Sequence, residues 1–150
     1  HLNTLGYDAD IIDVPNVGAT FMGAALELLT HEVQHNVKKT TDEQKGDWRP
    51  LLFLMTDGSP SDVYAYQQIV PVIQQLNFAS IIACAAGPKA KTEFLLQLTN
   101  QVVVLDTMDS NSFSSFFKWV SASVVAGSSS AGVTDSISLP PPPSEIQLVL

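Results

Sequence analysis

One cysteine in 150 residues, Cys84, has no partner for an internal disulfide. Nothing in the chain therefore asks for an oxidising compartment. Its neighbours, FASIIACAAG, are apolar, which marks a buried structural thiol. Basic residues are scarce too: 7 Lys and Arg stand against 15 Asp and Glu, for a net charge of −8. Nucleic-acid recognition needs a basic face, so no nucleic-acid partner is expected. No apolar run approaches the ~20 residues of a membrane-spanning helix. The opening HLNTLGYDAD shows no basic stretch followed by an apolar one, as a secretory leader would. A cytoplasmic location is the expectation. Phosphate-cradling glycine loops and the G-x-S-x-G nucleophile turn are missing as well. What is there is 45 % hydrophobic and 15 % charged, enough to build one core.

The apolar residues are patterned. Met22, Leu26, Leu29, Val33 and Val37 recur at steps of three and four, one face of a helix over 22–37. A polar loop, KKTTDEQKGDWRP, leads to LLFLMT at 51–56, an unbroken apolar run of strand length. TDGSPSD reads as a turn, with Asp62 placed to cap a helix over 63–76. Further strands are expected at 78–86 and at 102–105, the latter rich in β-branched residues. Helices are expected at 91–98 and at 110–125, the second capped by Ser110 or Ser112. Strands that are apolar throughout and alternate with helices predict an α/β fold, doubly wound, with a mostly parallel sheet covered on both faces. Residues 1–126 form the domain in this reading. Residues 127–150, with their Ser cluster and four prolines at 140–143, form a mobile Ser/Pro-rich tail whose closing IQLVL either docks as an edge strand or stays loose.

Ligands of such sheets bind at the C-terminal ends of the strands, which singles out the loop after 51–56. LLFLMTDG places Asp57 at the rim of a buried strand, where a carboxylate suits a hard cation such as Mg²⁺, although on local pattern alone Asp57-Gly58 reads as a turn. Thr20 precedes a helix start and is able to face the same crevice. Gly18-Ala19-Thr20 before Gly23-Ala24-Ala25-Leu26, followed by Thr56-Asp57-Gly58, resembles the von Willebrand factor type A domain. GDWRPLLFLMTDGSPSD, GPKAKTEFLLQLT and SFSSFFKWVSASV ahead of LPPPP are similar to its TerY-like branch of bacterial proteins, associated with tellurium resistance and stress response. The resemblance covers about residues 15–143. It implies a metal-ion-dependent adhesion site in which Thr20 and Asp57 are metal ligands, direct or through water. The ion would be Mg²⁺, or Ca²⁺ or Mn²⁺, with a partner protein's carboxylate completing its shell. It implies a binding module and no enzyme.

The family's main metal segment, Asp-x-Ser-x-Ser, does not occur ahead of Thr20. Its pattern matches only at Asp57-Gly58-Ser59-Pro60-Ser61, inside the Thr-Asp-Gly loop, where Ser59 or Ser61 is a secondary oxygen candidate. The chain is therefore expected to be an N-terminally incomplete, C-terminal piece of a longer protein. The strand at 51–56 would then expose an apolar edge, with YDADIIDV at 7–14 as an outlying strand. Two rival readings are a truncated fragment without function and a zinc metallohydrolase. The second rests on His31-Glu32-Val33-Gln34-His35, which matches H-E-x-x-H. On a wheel with Leu29 at zero, His31 falls near 200° and His35 near 240°, so the pair is expected to face away from the core. No third His follows at the spacing such enzymes use.

Overall fold

The computed structural model describes residues 18–38, 41, 43–44, 46–47, 49–107, 109–129, 140–144 and 146–149. The stretch 7–14, read above as an outlying strand, lies outside them. The elements run α1 (Met22–Asn36), β1 (Leu51–Thr56), α2 (Val63–Gln75), β2 (Ser80–Ala86), α3 (Glu93–Leu98), β3 (Val102–Leu105), α4 (Ser110–Ser129) and β4 (Gln147–Val149). Each helix and strand expected between residues 22 and 125 is present within a few residues of its expected ends.

β1, β2 and β3 are parallel neighbours in that order, and β4 adds antiparallel to β3. The three-stranded parallel part follows from the connections, because each strand-to-strand crossover carries a helix. Alternation along the strands sorts their side chains onto two faces. Leu52, Ala83, Ala85 and Val102 point to one face, where Met22, Leu26, Tyr66, Ile69, Ile73 and Leu95 of the first three helices cover them. Ile82, Cys84, Val103 and Leu105 point to the other, under Phe116 and Trp119 of α4. Helices thus cover both faces, as the unbroken apolar strands predicted. Tyr66 is fully buried, and its hydroxyl donates to the Phe94 carbonyl at 2.6 Å, fixing α2 to α3.

Two cap assignments need correction. α4 is capped by Asp109, whose Oδ1 accepts the Ser112 N–H at 2.8 Å. The Ser112 hydroxyl is occupied elsewhere, against the Thr107 hydroxyl at 2.6 Å. Asp62 does precede α2, yet its carboxylate makes no bond to that helix and reaches across to α1.

The C-terminal stretch takes the docked alternative. Ile146 is buried in the α4-side core, and Gln147–Val149 pairs with β3. The Trp119 indole N–H donates to the Pro140 carbonyl at 2.9 Å, so the proline segment is anchored where it meets α4. α4 itself continues to Ser129, past the expected end at 125. On its outer side β1 has no strand neighbour among the described residues.

Candidate functional site

Parallel strands bring all their C-terminal ends to one rim. The loop 57–62 leaves β1 there, 87–92 leaves β2, and 106–109 leaves β3. The segment 18–21, which opens α1, joins the same rim through loop 57–62. Thr20 donates its N–H to the Ser61 hydroxyl at 2.9 Å, and the Ser61 N–H donates to the Thr20 carbonyl at 2.8 Å. Beside this pair, Asp62 accepts the Gly23 N–H at 3.1 Å on Oδ1 and the Ala24 N–H at 2.9 Å on Oδ2. The first turn of α1 has orphan N–H groups and the positive end of the helix dipole, and this carboxylate satisfies both. Desolvation pushes the Asp62 pKa up, but the N–H bonds from Ala24 and Gly23 outweigh it and leave the group below the usual carboxylate range. Phe21, at the N-cap position itself, has no side chain able to do this.

A second tie fixes the other flank. Lys91 donates its N–H to the Asp57 carbonyl at 2.8 Å, and Gly87 donates to the Leu105 carbonyl at 2.8 Å. Gly58 makes the first of these possible. Its φ is +84°, a region side chains rarely enter, and a Cβ there would overlap the Lys91 carbonyl oxygen. The rim is thus a row of backbone bonds running from the Thr20 segment through the β1 loop to the ends of β2 and β3.

Thr20 and Asp57 both stand on this row. The backbone of Thr20 makes the bonds to Ser61, which leaves its hydroxyl outside them. Asp57 is exposed; its Oδ1 accepts the Ser59 N–H at 3.3 Å and the Thr56 hydroxyl at 3.4 Å. Oδ2 is the carboxylate oxygen left for a ligand. In kind, an exposed carboxylate and a hydroxyl suit Mg²⁺. In number they fall short, since the ion takes about six oxygens. Asp62 and the Ser61 hydroxyl, which would raise the count, are committed to α1 and Thr20. Among the described residues no three His, Cys, Asp or Glu side chains converge on one point. Asp62 and Ser61 as joiners of the two segments were not anticipated. Their partners lie about forty residues away in sequence, beyond any local pattern.

The H-E-x-x-H stretch lies elsewhere, on the outer surface of α1. His31, Glu32 and His35 are all exposed, as the helical wheel expects. A hydrolytic zinc needs a third protein ligand and a cleft. Glu32, the base in that chemistry, accepts the Asn36 amide N–H on Oε2 at 2.6 Å.

No helix among the described residues is long and apolar enough to cross a membrane. Comparison of the chain with models of protein families, with curated proteins and with solved structures finds no match.

Proposed function

We propose that the chain is a protein-binding module of the von Willebrand factor A type, close to its TerY-like branch, that works in the cytoplasm and breaks no bond. Its binding crevice is the rim at the C-terminal end of β1. One observation carries this reading: the Ser61–Thr20 pair and the Asp62 clamp hold the Thr20 segment against the Asp57 loop. Two segments that the sequence separates by more than thirty residues thereby meet at one rim. The parallel order β1-β2-β3 with helices on both faces supports it, since this is the arrangement such a site requires.

In this reading Thr20 and Asp57 hold Mg²⁺. The remaining positions go to water and to a carboxylate of the partner, so that the ion bridges two proteins. The role in tellurium resistance or stress response follows from the resemblance alone. Mn²⁺ substitutes for Mg²⁺ at hard-oxygen sites and is visible by electron paramagnetic resonance. Titration of Mn²⁺ into the wild-type chain should show a bound population. Asp57→Ala should weaken it at least tenfold, and Thr20→Ala should weaken it in the same direction. Equal Mn²⁺ binding by wild type and Asp57→Ala would remove the metal from the proposal.

A further inference from the structure

The hydrolase reading leaves an unexplained arrangement on α1. The His31 and His35 rings stack with centroids 4.0 Å apart and planes 25° apart, fully outside the core. They are one helical turn apart, the spacing that puts two side chains on the same face. The Nδ1 of His35 lies 2.7 Å from the His31 carbonyl, so Nδ1 carries the proton and Nε2 carries the lone pair. The Nδ1 of His31 lies 3.7 Å from Glu32 Oε1, too long for a hydrogen bond, so the carbonyl bond of His35 is the one that sets a tautomer. Imidazoles that ligate metals are backed in this way, with one ring nitrogen donating to a carbonyl or carboxylate and the other free to coordinate.

From this geometry we infer that His31 and His35 form a two-imidazole chelate for a late first-row divalent ion, Zn²⁺, Ni²⁺ or Cu²⁺. Two nitrogens at about 2.0–2.1 Å from a tetrahedral ion are roughly 3.4 Å apart, a span that side chains one helical turn apart are able to reach. To bind, the two rings leave their stack and turn so that both Nε2 lone pairs converge on the ion, and both side chains are exposed. Imidazole prefers these ions over Mg²⁺, so the site differs in kind from the crevice at Asp57. Water fills the remaining positions. The site is non-catalytic, because it has two protein ligands on an exposed helix surface and a Glu32 bonded to Asn36.

The test is a Zn²⁺ titration of the 150-residue chain at pH about 8, where imidazole ligands are unprotonated. His1 is the third histidine of the chain. All variants therefore carry His1→Asn, and millimolar Mg²⁺ is present throughout to occupy carboxylates. The chain should bind one equivalent of Zn²⁺. His31→Gln and His35→Gln, which keep helix propensity, should each lower the affinity at least tenfold, and the double variant should do little more. A shifted pair, His35→Gln with Asn36→His, keeps two histidines but sets the second about 140° around the helix from His31, and it should bind as weakly as the single variants. Unchanged affinity in the double variant would overturn the inference. So would full affinity in the shifted pair, which would mean that histidine number and not geometry sets the binding. A far-UV spectrum that matches wild type assigns any loss to the ligands and not to α1.

Discussion

Asp62 does more for the fold than its place in the sequence suggests. As the residue before α2 it reads as that helix's cap, but its carboxylate closes the first turn of α1. Loss of a capping side chain costs about 1 kcal/mol, with a range of about 0.5–2. Asp62→Ala should therefore lower the urea midpoint by that order, and Asp62→Asn, which keeps one acceptor, should lower it less. Equal midpoints for Asp62→Ala and wild type would mean that the clamp contributes nothing. The pH dependence has a fixed sign. A carboxyl whose folded-state pKa is depressed adds stability above its unfolded value, near 3.8, and loses it as pH falls through the folded-state value. The clamp should thus loosen only in acid below that value, and Asp62→Ala should show a flatter stability profile there. Cys84 behaves in the opposite way. It is fully buried, and burial pushes its thiol up to about 11. A thiol reagent should leave it unmodified in the native chain and label it on unfolding. Rapid labelling under native conditions would contradict its place under α4.

At the scale of elements, the strands were the most legible part. The apolar stretch ending at Ala86 and VVVL are buried on both faces and LLFLMT is half-buried, and their apolar composition reports a parallel sheet. α1 was legible because its apolar face is regular, and the same wheel placed His31 and His35 outward. What the sequence hid was long-range. The caps of α1 and α4 depend on which carboxylate arrives in space, and Ser110 and Ser112 look as suitable as Asp109 until the Thr107 hydroxyl claims Ser112. The docking of Gln147–Val149 was one of two open outcomes, because a three-residue strand carries too little pattern to decide. That docking has a cost to test. Ile146 is almost fully buried beneath α4, and large-to-small changes at such sites cost about 2–4 kcal/mol. Ile146→Ala should lower the midpoint accordingly and speed amide exchange along β3. Exchange at Val104, whose amide faces β4, that stays as slow as in wild type would indicate that β4 does not protect this edge.

For the whole molecule, the candidate site is a property of the rim and not of any one residue. Thr20 and Asp57 were singled out as candidate metal ligands only through a family resemblance. The bonds that bring their segments together were not readable at all. The rim is tied on one flank by Ser61 and Asp62 and on the other by the Gly58–Lys91 approach. It is therefore organised before a ligand arrives, which lowers the ordering cost of binding. A ligand that binds only the folded state raises its melting temperature. The most direct measurement is thermal melting of the chain in Mg²⁺ and in EDTA, side by side with Asp57→Ala. At about ten times the dissociation constant, Mg²⁺ should stabilise the wild type by about 1.4 kcal/mol, a rise of about 3–6 °C for a chain of this size, and leave Asp57→Ala unmoved. A cooperative melt that ignores Mg²⁺, or one that shifts equally in Asp57→Ala, would contradict the assignment of the rim as a metal-dependent binding site.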